Sequence, residues 1–166
     1  MTVKITSNSR VKDYRSILGN TVSIVEGFDN KFSFYCADAN IFVKAMMAGK
    51  GFIIEDTTLT INDNTYNTIS REDTLYDNEK AVWSTQMTYH SGHMIHFYEA
   101  DIDGHIKIDP LESNEKLFFG DVFIPDGYDL TISEIEQRDD INFTNARQLA
   151  LTKLLLGDSY HIEMID

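Results

Sequence analysis

Alternating apolar and polar positions mark most of this chain as strand. Residues 3–6 alternate and read as a first strand. Over residues 20–26, Val22, Ile24 and Glu26 share one face and Thr21, Ser23 and Val25 the other. Gly27-Phe28-Asp29-Asn30 reads as a turn, and residues 31–36 return as a strand. Residues 51–54 form a further strand. Beyond them, 58–61 and 65–69 are β-rich stretches around Asn62-Asp63-Asn64, residues that tolerate left-handed backbone. Residues 83–90 and 93–100 flank Ser91-Gly92, and Asp103-Gly104 separates 99–102 from 105–108. Two tight turns joining three successive strands predict an antiparallel meander.

Helical spacing occurs twice. Asp38 or Asn40 caps a helix through Ala48, with apolar Ile41, Phe42, Ala45, Met46 and Ala48 and a left-handed end at Gly49. Thr144 caps a second helix to Leu156, closed by Gly157, in which Ala146, Leu149, Ala150, Lys153 and Leu154 follow helical spacing. Residues 160–165 alternate as a closing strand. The expected fold class is α+β, with antiparallel sheet dominant and two short helices. The strand, turn and strand at the N-terminal side resemble a small open β-barrel of the KOW type over about thirty residues.

Charge divides the chain. Residues 1–54 carry seven Lys or Arg against four acids, a near-neutral to basic β-rich region, whereas 55–166 carries seven bases against twenty-three acids. The 42 % apolar content, with eight Tyr and ten Phe, belongs to a folded protein rather than an acidic tail. The lone Cys36 excludes an intrachain disulfide and fits a small buried group in a reducing compartment. The first ten residues lack the apolar core of a secretory signal, and no apolar run approaches the ~20 residues of a membrane helix. A soluble, cytoplasmic protein without membrane association is expected. The basic patch needed for direct nucleic-acid binding is missing.

Candidate chemistry is sparse. His90, His93 and His96 could ligate zinc only if they converged, but strand alternation points His93 and His96 to opposite faces. A pH-sensitive His90–His93 surface pair is the favoured reading. Residues 99–104 match the start of a calcium loop, yet Pro110 stands where the bidentate Glu is needed. A hairpin turn at Asp103-Gly104 explains them better. No phosphate-binding loop, zincin motif or nucleophile elbow is present. The sequence reading therefore assigns no catalytic residue, metal site or cofactor. The acids themselves, Glu72, Asp73, Asp77 and Glu79 in one stretch and Glu134, Glu136, Asp139 and Asp140 in another, suit docking on a basic partner. Phe118, Phe119, Phe123 and Tyr128, around Gly120, Pro125 and Gly127, suggest an exposed aromatic binding loop.

In size, acidity and short β-rich segments the chain resembles the small acidic early proteins of tailed bacteriophages. That resemblance implies a non-enzymatic inhibitor that binds a host protein with a basic surface or channel. An ATP-dependent protease such as Lon and a nucleic-acid-handling enzyme blocked by a DNA mimic are the partners it suggests. Self-association as a homo-oligomer is compatible with it. An immunity protein against a toxin nuclease and a metal-dependent enzyme stand as alternatives.

Overall fold

A computed structural model describes residues 3–5, 11–25, 40–70, 73, 75–108 and 116–165. The fold is α+β with a mostly antiparallel sheet, as the alternation predicts. Five α-helices occur among the described residues, three more than expected.

The chain divides into two compact units, neither of them contiguous in sequence. The first comprises residues 1–56, 85–100 and 147–166, and the second 57–84 and 101–146. Three long strands, β3 (Ile53–Ile61), β6 (Lys80–His90) and β7 (Met94–Ile106), contribute residues to both. The packing units are thus divided differently from the charge regions 1–54 and 55–166.

In the first unit, β1 (Val3–Ile5) and β2 (Val22–Ile24) pair in parallel, with helix α1 (Val11–Leu18) between them. Parallel strands require a crossover, and α1 supplies it. The turn at 27–30 and the strand at 31–36 on which the resemblance to a KOW-type barrel rested lie outside the described residues. Helix α2 (Ile41–Ala48) starts where expected: the Asn40 side chain accepts the Val43 N–H at 3.0 Å, and Gly49 ends the helix at φ +83°. Helix α5 (Ala146–Leu156) stops at Gly157, φ +71°. The last strand, β10 (His161–Met164), runs antiparallel to β7.

Two apolar clusters fill this unit. Tyr14 and Leu18 of α1 and Ala150, Leu151 and Leu154 of α5 pack with Ile53, Met87, Tyr98 and Ala100. Ile41 and Ala45 of α2 pack with Phe52, Ile54, Ile95 and Phe97. Neighbouring strand residues such as Ile53 and Ile54, or Phe97 and Tyr98, fall in different clusters. Side chains alternate across a strand, so α1 and α5 cover one face and α2 the other.

The second unit has a single cluster around Phe123, which is completely buried with Leu59, Ile61, Ile69, Ala81, Ile106, Val122 and Ile132. Burying one such ring contributes about 2–3 kcal/mol. Strand β4 (Asn64–Tyr66) folds back on β3 through Asn62 and Asp63, both left-handed at φ +46° and +67°. The expected hairpin is present there. A short pair joins β5 (Ile69–Ser70) to β8 (Lys116–Leu117). Helix α3 (Phe119–Val122), strand β9 (Phe123–Pro125) and helix α4 (Ile132–Glu136) complete the unit.

The meander needs one correction. Ser91-Gly92 does link β6 to β7, but Asp103-Gly104 is no turn: β7 runs unbroken through it for thirteen residues. Strand β9 lies alongside, with Gly104 opposite Pro125 and His105 opposite Ile124. A Cβ at Gly104 would strike the Ile124 carbonyl oxygen and come within 2.6 Å of the Phe123 ring. Gly104 is required by the close approach of β9, not by a left-handed backbone.

Candidate functional site

Most of the acids singled out in the sequence are engaged in local structure. Asp73 accepts the Ser70 N–H at 2.7 Å, and Asp77 accepts the Ile108 N–H at 3.1 Å. Glu79 accepts from the Tyr76 N–H at 2.9 Å and from the Asn62 amide. Glu134 completes a capping box with Thr131, whose hydroxyl accepts the Glu134 N–H while the Glu134 carboxylate accepts the Thr131 N–H at 2.7 Å. That backbone bond holds the Glu134 carboxyl below its ordinary pKa. Asp140 is held low by the side-chain bond from Arg138, a bidentate pair at 2.7 and 3.0 Å. Asp139 and Glu136 are exposed. Glu72 lies outside the described residues.

The aromatic loop is also revised. Phe123 is the centre of the core and unavailable to a partner. Phe119 and Phe123 meet the Trp83 ring edge-on, at 6.0 and 5.6 Å. Tyr128 is half-buried, edge-on to Phe143 at 5.3 Å, with its hydroxyl donating to the Asn142 carbonyl. Of the four aromatics, Phe118 is the one strongly exposed, at 68 %. Their spacing around Gly120 and Pro125 reflects α3 and β9, not a loop.

The histidines likewise differ from a surface pair. His90 is buried, and its Nδ1 accepts the Gly92 N–H at 3.1 Å, whereas His93 is exposed. Burial lowers the His90 pKa, with a bond to its own backbone opposing the shift. His96 stacks obliquely near Tyr89 at 6.5 Å. Among the described residues, no three His, Cys, Asp or Glu side chains are placed to hold a metal ion.

A buried charge cluster in the first unit escapes the sequence reading. The Arg147 Nε donates to both carboxylate oxygens of Glu55 at 3.0 Å, and its Nη1 to Asp13 at 2.7 Å. The Tyr14 hydroxyl donates to Glu55 at 2.7 Å. Burial works against the guanidinium charge, but Glu55 and Asp13 outweigh it and raise the Arg147 pKa. Glu55 and Asp13 share the one guanidinium, which makes the cluster a device for joining α1, β3 and α5.

Unmatched acids gather in the second unit. A cleft of about 730 Å³ is lined by Asp63, Asp103 and Asp126, together with Asn62, Asn78, Lys80 and His105. Asp63 sits at the β3–β4 turn, Asp103 on β7, and Asp126 just after β9. The Asp126 N–H donates to the Asp103 carbonyl at 2.9 Å, which ties two of these positions together. All three aspartates are exposed, and among the described residues none of them forms an ion pair. Three carboxylates face one ammonium, that of Lys80, so the cleft attracts cationic groups and offers amide donors beside them. Each aspartate stands in a turn-like step (Asn-Asp-Asn, Asp-Gly, Asp-Gly), and that role masked their convergence in the sequence.

Charge also divides by packing unit, though less steeply than along the sequence. The first unit holds nine Lys or Arg and ten Asp or Glu, a net of −1; the second holds five and seventeen, a net of −12. No helix among the described residues is long and apolar enough to cross a membrane. No protein-family model matches the chain, and comparison with curated proteins finds no match.

Proposed function

We propose that this chain is a non-enzymatic binding protein whose acidic second unit docks on a basic surface or channel of a larger protein machine. An ATP-dependent protease or a nucleic-acid-handling enzyme, inhibited by occupation of that surface, is the reading in keeping with the phage early proteins the sequence resembles. The observation that carries it is the cleft: Asp63, Asp103 and Asp126 have no ion-pair partner among the described residues, in a unit with net charge −12. Three carboxylates around a single ammonium leave a net negative field, and a basic partner relieves it while gaining steered association. Of the acids singled out in the sequence, Asp73, Asp77, Glu79, Glu134 and Asp140 are tied into local structure, and the docking surface proposed is the cleft instead.

The test compares two triple variants of equal charge. Asp63→Asn, Asp103→Asn and Asp126→Asn neutralise the cleft; Asp121→Asn, Asp129→Asn and Asp139→Asn neutralise exposed sites that do not line it. Affinity capture from bacterial lysate at low and moderate salt should yield one near-stoichiometric partner for the parent chain and the second variant. The cleft variant should lose it. Equal loss from both triples would replace the cleft with a diffuse field, and no partner at either salt would defeat the docking reading.

A further inference from the structure

The last strand carries an unpaired edge whose chemistry selects its occupant. β10 pairs with β7 in the register His161↔Phe97, Ile162↔His96, Glu163↔Ile95 and Met164↔Met94. The Ile165 N–H donates to the His93 carbonyl at 2.9 Å. In an antiparallel ladder, residues alternate between exchanging both backbone bonds with their partner and pointing both groups away. Glu163 and His161 therefore turn their backbone groups toward β7, and Ile162 and Met164 turn theirs outward. Among the described residues, no strand pairs that outer edge.

The side chains along this edge are exposed as well. Ile162 is 47 % and Met164 70 % accessible, and Leu155 and Leu156 at the end of α5 are 61 % and 75 % accessible. Open strand edges bearing apolar side chains are normally covered or blunted by charge, because they invite another strand. Here the polar groups are the His161 imidazole and the Glu163 carboxylate, 3.1 Å apart on the same face of β10.

We propose that the outer edge of β10 is a self-association surface, on which a second copy of this chain adds its own β10 antiparallel about a two-fold axis through Ile162. In that register Ile162 faces Ile162 of the second copy and exchanges both outward backbone bonds with it. His161 then lies opposite Glu163 of the second copy, and Glu163 opposite its His161, which gives two complementary pairs by symmetry. Centring the axis on Glu163 would set the two Glu163 carboxylates opposite one another. Centring it on Met164 would set Glu163 opposite Ile165. Backbone direction permits each of these registers and side-chain complementarity selects the one centred on Ile162; the result is the isologous contact typical of two-fold dimers.

Sedimentation equilibrium on the full chain tests this across a concentration series. The parent chain should dimerise reversibly. His161→Glu places carboxylates opposite one another twice, and Glu163→Lys takes the carboxylate acceptor from the imidazole twice; either alone should weaken the dimer on the order of tenfold. An equimolar mixture of the two variants restores a complementary pair at both positions and should recover the parent affinity as a heterodimer. Ile162→Pro, which removes an outward N–H without touching the ladder to β7, should abolish association while far-UV circular dichroism stays unchanged. A parent chain that remains monomeric throughout, variants that dimerise as tightly as the parent, or a mixture that fails to recover would each overturn the proposal.

Discussion

The two units solve the same problem, a sheet that must be covered, with opposite uses of charge. The first is close to neutral, has two apolar clusters and buries an ion cluster, with the Glu55 side chain only 4 % exposed beside Arg147. The second has one apolar cluster around Phe123 and leaves its charge on the surface, where the ion pairs Arg138–Asp140 and Lys107–Glu134 are both half-exposed. Half-exposed pairs contribute little to stability, whereas breaking a buried one is costly. The inference is that charge holds the first unit together, while in the second it is available for something else.

The most damaging change should therefore fall in the first unit. Arg147→Met leaves the Glu55 carboxylate and Asp13 without their guanidinium, and removal of one partner from a buried pair costs about 3–5 kcal/mol. Urea denaturation should show that loss. Hydrogen exchange should place it in 11–25, 40–56 and 147–156. By contrast, Arg138→Met, which breaks an exposed pair in the second unit, should leave the midpoint nearly unchanged. Equal effects from the two substitutions would break the comparison.

The second unit should be most sensitive to packing. Gly104→Ala drives a methyl group into the Ile124 carbonyl and the Phe123 ring, and overpacking of this kind costs about 1–3 kcal/mol. The chain has one tryptophan, Trp83, which lies on Phe119 and Phe123, so its fluorescence follows this unit. The Trp83 transition should move to lower urea in the variant. Gly127→Ala offers the sharper contrast: nothing lies within 4 Å of its Cβ, and only a left-handed φ of +85° opposes it.

How much of this was legible in the sequence depended on range. Helices α2 and α5, the Asn62-Asp63 hairpin and the link at Ser91-Gly92 are written in residues a few positions apart, and the sequence reading found them. Asp103-Gly104 carried the same local signal, but β9, twenty residues on, overrode it by packing against the missing side chain. Helix α1 had its spacing in Val11, Tyr14 and Leu18, yet eight residues between strands are too few to stand out. Helix α4 announced itself through the capping box Thr131-Ile132-Ser133-Glu134; Glu134 was read for its charge alone and its backbone role overlooked. The cleft aspartates come from three turn-like steps, 63, 103 and 126, that only the folded chain brings to one place. The Arg147 cluster likewise draws on residues 13, 55 and 147.

The smallest predicted effect separates the units by pH. His90, in the first unit, has its imidazole pKa pushed below the ordinary 6.5 by burial, and its Nδ1 must stay unprotonated to accept the Gly92 N–H. The unfolded chain therefore binds a proton at a pH where the folded chain does not, and stability rises with pH through that window. Its contribution is complete above about pH 6.5 and is lost as the pH falls through the folded value. Glu134, in the second unit, has its carboxyl held below 4.5 by the Thr131 backbone bond, so its capping box survives until the pH falls below that range. Between pH 7 and 5, amide protection in residues 85–100 should decline while the capping box of α4 stays intact. His90→Gln should flatten the decline, since an amide accepts the Gly92 N–H without titrating. If residues 85–100 keep full protection down to pH 5, or if the Gln variant declines equally, His90 is not the titrating group. The pH response of the first unit would then come from elsewhere.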